Sequence, residues 1–275
     1  RELLIELVGR IKSGEEGGEL AELDNLWKVD YERKPPTIGE FIEEDYWLGP
    51  VLRPSDGNQG IFPEWKRVLK NDFDLDSRVH NAVITGSLGI GKSFISVVVF
   101  LYRVALATML RNPQNFFGLS RGSAIIYAVL SVTRRAVTET ALGDAMNFMA
   151  LSPFFTEELK FDPDKKYSDG RIEFPKKIWL TYGSKGQHII GRNAMGVFLD
   201  EGNWRLEANP DVRAYKLYDE IRTRIANRFQ RTAGFLPAIS ILASSARDES
   251  SFTEKVIDDI NKSKDPNQKI YRYAV

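Results

Sequence analysis

Residues Gly86-Ser87-Leu88-Gly89-Ile90-Gly91-Lys92-Ser93 match the spacing G-x-x-x-x-G-K-[ST] at every fixed position. Each fixed position has a chemical task. Glycines let the backbone close around a phosphate with its N–H groups turned inward. A helix beginning near Lys92 adds its positive N-terminal end. The Lys92 ammonium suits the β- and γ-phosphates of a nucleoside triphosphate, and the Ser93 hydroxyl suits a magnesium ion. A glycine-rich turn can arise by chance. Here an apolar run, Val79–Thr85, leads into the turn and a longer one, Phe94–Leu110, leads out of it, the strand–loop–helix context that this chemistry needs.

A second group lies 108 residues beyond Lys92, where the apolar run Gly196-Val-Phe-Leu199 ends in Asp200-Glu201. Asp200 would hold Mg²⁺ through water, opposite Ser93. Glu201 would orient and polarise an attacking water. Two carboxylates after a strand are commonplace alone; paired with the loop they point to ATPases whose catalytic glutamate follows the magnesium aspartate. A third run, Ile239–Ala243, is followed by Ser244-Ser245-Ala246. Its hydroxyls could sense a γ-phosphate, although a serine-rich turn is the plainer reading. Phe62 and Ile61 could pack a base and Gln59 could read its edge, whereas Trp65 reads as core. Arg134 and Arg135, then Arg192, are candidates for an arginine that stabilises transferring phosphoryl charge. Arg224, Arg228 and Arg231 share one face of a long helix, opposite Leu217, Ile221 and Ile225. They, with Lys176 and Lys177, are candidates for sequence-independent contact with DNA phosphates, against the plainer alternative of a solvated surface.

These groups need a scaffold. Strands are expected at Val79–Thr85, Ala124–Ser131, Gly196–Leu199 and Ile239–Ala243, with helices over Ser93–Leu110, Thr133–Met149 and Asp211–Arg231. Strand–helix alternation of this kind predicts an α/β fold with a mostly parallel central sheet flanked by helices, a P-loop NTPase of RecA/ASCE type. Arg171–Phe174 and Ile178–Tyr182 flank Pro175-Lys176-Lys177 as a β-hairpin. Upstream, Glu2–Lys12 has the spacing of an amphipathic helix and residues 13–18 read as a linker. Thr37 to Glu40 resembles a capped helix start, Gly49–Gly60 reads as loop, and Pro63 opens another helix. Residues 1–36 are therefore assigned to an N-terminal helical extension with an acidic linker and 37–275 to the ATPase domain. The run from Phe94 to Leu110 contains Arg103 and reads as a buried helix rather than a membrane span.

Composition narrows the chemistry. The 275 residues include no cysteine and two histidines, which excludes disulfides, thiolate chemistry and a histidine-rich zinc site. Lys+Arg and Asp+Glu are both 38, so the protein is not basic all over. The balance is uneven: residues 1–60 carry 7 basic and 14 acidic side chains, leaving an excess of seven basic groups on the remainder.

The phosphate loop at 86–93, the carboxylates at 200–201 and Ser244-Ser245-Ala246, in this order, resemble the ATPase domain of the large terminase subunit of tailed bacteriophages. Phe41-Ile-Glu-Glu-Asp-Tyr46-Trp-Leu-Gly49, the 171–182 hairpin, Gly191-Arg192-Asn193 and Glu201-Gly-Asn203-Trp204 are similar to weaker features of that family, so the resemblance spans residues 37–275. It implies an ATP- and Mg²⁺-dependent motor that drives double-stranded DNA into a procapsid. The implied partners are a portal protein, a small terminase subunit and further copies in a ring, in the host cytoplasm and with no membrane. Ser244, Ser245 and Ala246 would couple hydrolysis to movement. Some members carry an arginine within the loop where this chain has Ser87, Leu88, Gly89 and Ile90. Members also continue into a ribonuclease-H-like nuclease domain, and no nuclease activity is expected of these residues. A helicase-like translocase and a nucleotide-binding switch with little turnover are the alternatives.

Overall fold

The computed structural model describes residues 30–55, 60–75, 77–130, 141–165, 167, 170–183, 193–200, 213–229, 238–245 and 251–273. Its strands are β1 (Asn81–Gly86), β2 (Ile125–Leu130), β3 (Arg171–Phe174), β4 (Ile178–Gly183), β5 (Asn193–Asp200), β6 (Ile239–Ser245) and β7 (Gln268–Tyr273). They form one sheet in the order β3-β4-β2-β5-β6-β1-β7. All neighbouring pairs are parallel except β3–β4. Strands β1 and β2 are buried along their whole length, as expected of apolar, β-branched strands covered on both faces.

The helices are α1 (Ile38–Glu43), α2 (Gly49–Leu52), α3 (Pro63–Asp72), α4 (Lys92–Met109), α5 (Pro113–Phe116), α6 (Ala141–Ala150), α7 (Arg213–Phe229) and α8 (Phe252–Ser263). The expected capping box is present on α1: Thr37 Oγ1 accepts from the Glu40 N–H at 3.1 Å, and the Thr37 N–H donates to the Glu40 carboxylate at 2.6 Å. Helix α4 contains the run Val97-Val98-Val99, which has weak helix propensity. Burial overrides that preference. The helix is long and apolar enough to cross a membrane, but every residue from Ile95 to Met109 is packed inside the protein. Its C-terminal end is closed by Lys176, whose ammonium donates to the carbonyls of Thr108 and Leu110 at 2.8 and 2.7 Å and pairs with Glu32 at 2.7 Å.

Several expectations change in detail. The hairpin forms, and β4 pairs in parallel with β2, so the hairpin extends the main sheet. The expected loop at 49–60 begins with the helical turn α2. Helix α8 and strand β7 were not anticipated, although Ser251 caps α8 and Val256, Ile257 and Ile260 form its buried stripe. Residues 30–36, assigned to the extension, pack on the domain: Tyr31 is buried and bridges to Leu110. The helix expected over Glu2–Lys12, its linker and the start of the Thr133–Met149 helix lie outside the described residues.

Strand alternation sorts the sheet into two faces. Gly196, Phe198 and Asp200 of β5 face α4, as the Phe100–Phe198 ring contact shows. Tyr127 on β2 crowds Gly196 at this face: a Cβ on Gly196 would stand 2.3 Å from a ring carbon of Tyr127 and 3.2 Å from Phe100. Tyr127 cannot swing away, because it is fully buried and its hydroxyl donates to the Arg103 carbonyl at 3.1 Å. Gly196→Ala is therefore expected to destabilise the fold by about 1–3 kcal/mol through overpacking. Urea denaturation with the wild type as reference measures it.

Candidate functional site

The phosphate loop begins where β1 ends. Gly86 has φ +140°, and a Cβ there would lie 1.8 Å from the carbonyl oxygen of Tyr273, so only glycine fits. Gly89 and Gly91 also take positive φ, and the space beside Gly89 is open. Backbone of this kind forms a concavity for anions. Helix α4 starts at once, with Gly91, which has no side chain to cap it, as its N-cap. Helices α1 and α8, by contrast, carry Thr37 and Ser251 in that role. A helix N-terminus that follows such a glycine turn suits an anion. Lys92 is 6% exposed, and its ammonium donates to the carbonyls of Ser87 at 2.7 Å and Gly86 at 3.3 Å. Leu88, at the loop tip, is 79% exposed.

Asp200 is the last residue of β5 and is 1% exposed. The Ser93 hydroxyl donates to its carboxylate at 2.8 Å. Two residues 107 positions apart thus meet at one end of the sheet, although β6 separates β1 from β5. A hydroxyl and a carboxylate are hard oxygen ligands, and beside a phosphate cradle they fit a magnesium ion. Asp144 on α6 belongs to the same end: α6 packs on the first turn of α4 through Phe94 and Phe148, whose ring centres lie 5.2 Å apart. Burial, and then the negative charge of Asp200, push the Asp144 carboxyl above the usual aspartate range. Nothing in the sequence singles out Asp144, because its relation to Asp200 exists only in three dimensions.

The adjacent serines of β6 divide between the two faces. Asp200 is level with Ala243, and Gly86 with Ser245, so alternation puts Ser245 on the α4 face and Ser244 on the other. Ser244 is level with Thr85, whose buried hydroxyl has no hydrogen-bond partner among the described residues. On that second face Tyr218 of α7 donates to the Asn81 side-chain oxygen at 2.8 Å, and Ser240 donates to it at 3.0 Å.

The remaining candidates are scattered. Arg224 is exposed on α7 but flanks the buried Ile221 and Ile225 rather than lying opposite them, because residues three apart on a helix share a side of it. Lys176 and Lys177 sit at the hairpin turn, next to the C-terminal end of α4 and so a helix length from Lys92. Lys176 is committed to that helix end, whereas Lys177 is exposed and donates to the Gly122 carbonyl at 3.3 Å. Phe62 is 45% exposed. Trp65, read as core, is buried and also donates its indole N–H to the Ile90 carbonyl of the loop at 2.7 Å, a role that its residue type could not announce. Glu201, Arg134, Arg135, Arg192, Gln59, Ala246 and Arg231 lie outside the described residues, as does the side chain of Arg228.

Among solved structures the chain is similar to the large terminase of HK97 bacteriophage, with 18% identity, a TM-score of 0.49, and coverage of 86% of this chain and 43% of that one. It is also similar to the large terminase of a thermophilic bacteriophage, at 13% identity and TM-score 0.46 over 78% of this chain and 46% of that one. A third is S. cerevisiae dbp5 in a complex with nup159, gle1, ip6 and adp, at 12% identity and TM-score 0.42 over 86% and 51%. The chain spans less than half the length of either terminase. Comparison with curated protein sequences finds no match. The fold is that of a P-loop NTPase and the site is one for a nucleotide, in agreement with the family match over residues 15–262: this chain belongs to the family described as the N-terminal P-loop domain of the uncharacterized protein MJ0330.

Proposed function

We propose that the chain is the ATP-hydrolysing motor domain of a viral DNA-packaging machine of the large-terminase kind. The observation that carries the hydrolase reading is the Ser93–Asp200 bond, which joins the phosphate loop to the carboxylate strand across β6. The packaging reading is supported by the ordered motifs at 86–93, 196–201 and 244–246 and by the flanking segments that resemble that family.

In this reading the residues divide the work. The glycine turns and the uncapped α4 terminus bind the phosphates of ATP. Lys92 exchanges its carbonyl contacts for the β- and γ-phosphates and offsets their charge. Ser93 and Asp200 hold Mg²⁺, which supplies Lewis-acid stabilisation of phosphate charge. Glu201 orients the water, and an arginine drawn from Arg134, Arg135 or Arg192 steadies the charge on the transferring group. Phe62 and Gln59 receive the base. Ser245 senses the phosphate side and Ser244 passes its state to the opposite face, with Ala246 ending the strand motif. Double-stranded DNA meets Arg224, exposed on α7, together with Arg228 and Arg231, with Lys177 as a second contact. Further copies in a ring, a portal protein and a small terminase subunit complete the machine, which works in the host cytoplasm docked on a procapsid.

Removing the Lys92 ammonium by Lys92→Ala is expected to cost about 10- to 150-fold in kcat/KM for ATP, the usual range for losing a charge-assisted hydrogen bond. Ser93→Ala and Asp200→Asn are expected to raise the magnesium concentration for half-maximal hydrolysis, which a magnesium titration of phosphate release measures. Asp144 gives a pH signature. Its raised folded-state pKa makes the ionised form a cost to folding at neutral pH, relieved as pH falls through the folded value towards the ordinary 3.8. Asp144→Asn should therefore raise the thermal midpoint at pH 7, with a difference that shrinks on acidification. Mixed-sequence linear double-stranded DNA, alone and with a portal ring, should stimulate ATP hydrolysis; absence of stimulation by either overturns the packaging assignment.

A further inference from the structure

Two hydrogen bonds fasten the phosphate loop to elements outside its motif. At the loop start, the Ser87 N–H donates to the Tyr273 carbonyl of β7 at 3.1 Å. Near the loop end, the indole N–H of Trp65 on α3 donates to the Ile90 carbonyl at 2.7 Å. The two outside partners touch each other. Trp65 is 4% exposed, and its ring meets that of Tyr273 edge-on at 4.9 Å and Tyr271 at 6.3 Å. Tyr271 in turn packs on Phe73 at the end of α3, at 5.8 Å. The loop is therefore held at both ends by one aromatic cluster that joins α3 to β7.

We propose that Trp65 is a positioning residue for nucleotide binding: with the Tyr273 carbonyl it forms a bracket that presets the phosphate loop. This rests on the reading of the loop as a nucleotide site. The physical case is entropic. Three glycines in one short loop leave it many conformations when unrestrained, and ordering them at the moment of binding weakens affinity. Contacts already made in the folded protein shift that cost from binding to folding, so a larger fraction of molecules is competent to bind. Trp65 does this through Ile90, next to Gly91, the N-cap whose conformation aims the first amides of α4. The bracket touches no reacting atom, so its loss should appear in affinity and leave turnover at saturation nearly unchanged.

The test compares Trp65→Phe with Trp47→Phe in the full chain. Trp65→Phe keeps an aromatic ring and deletes the N–H donor. Trp47 is equally a core residue, 6% exposed, but packs with Phe41 and Phe154. Both variants are expected to lower the melting temperature, the readout of a merely structural role. Only Trp65→Phe is expected to weaken binding of magnesium ADP by calorimetry, and to raise KM for ATP, by about 2- to 13-fold, the range for one lost hydrogen bond. Its kcat should stay within about twofold of the wild type. If Trp65→Phe does not fold, Trp65→Tyr, which also lacks the indole donor, takes its place. Wild-type affinity in the folded Trp65 variant, or equal weakening in Trp47→Phe, overturns the bracket alone. A wild-type chain that binds no magnesium ADP overturns the nucleotide-site reading and the bracket with it.

Discussion

The hydrogen bond from Ser93 to Asp200 sets the terms for the rest of the fold. Ser93 belongs to the first turn of α4 and Asp200 to the end of β5, and β6 runs between β5 and the strand that feeds α4. Neighbouring strands lie about 4.8 Å apart, so the bond requires α4 to lean across the sheet by roughly two strands. That requirement explains why α4 is long, almost wholly apolar and buried on every side: it crosses the centre of the domain. It also explains the bare glycine at position 196. A helix laid over β5 brings Phe100 against that strand, Tyr127 of the neighbouring β2 crowds the same point, and the backbone must yield room.

The same placement makes β6, among the described strands, the one that pairs with both β1 and β5. It is level with Gly86 on one side and with Asp200 on the other. Its consecutive serines face opposite sides of the sheet, one toward α4 and the other toward the layer that carries Tyr218 of α7. A close-packed interior transmits small displacements because it has little free volume to absorb them. In the proposed reading a shift at Ser245 would reach Thr85 and Ser244 on the far side through this packing alone. Polar groups on that far side, Asn81, Ser240 and the Tyr218 hydroxyl, already tie α7 to the first residues of β1 and β6.

What the sequence revealed and what it concealed have a common cause. Local patterns were legible: the glycine spacing, the apolar run into Asp200, the capped start at Thr37 and the two strands of the hairpin each reflect chemistry within a few residues. Burial of α4 was legible too, because Arg103 and the run's length argued against a lipid-exposed span. Strand β7 was missed because Gln268-Lys-Ile-Tyr-Arg-Tyr273 mixes charge with aromatics and sits at a sheet edge, where only part of it is buried. Helix α8 has a cap at Ser251 and an apolar stripe at Val256, Ile257 and Ile260, both local patterns. Lys176 looked like a free surface charge, yet its ammonium closes the end of α4, a partnership across 66 residues that no spacing reveals. Asp144 and the indole N–H of Trp65 belong to the same class of hidden contact.

The uneven charge along the chain acquires a physical meaning from these contacts. Part of the described acidic N-terminal stretch is paired with cations: Glu32 with Lys176, Glu43 with Lys70, and Asp45 with Arg53. Exposed pairs of this kind add little stability, but each consumes a cation that would otherwise attract a polyanion. On α7, Arg222 is paired with Asp219, and Arg224 is exposed four residues after the exposed Glu220. In the proposed packaging reading, attraction to a phosphate backbone would be confined to part of the surface, and it would weaken as salt rises because exposed charges are screened. A motor of the proposed kind, which must release DNA as readily as it grips it, would be better served by such a surface than by a uniformly basic one, since every added phosphate contact would slow release.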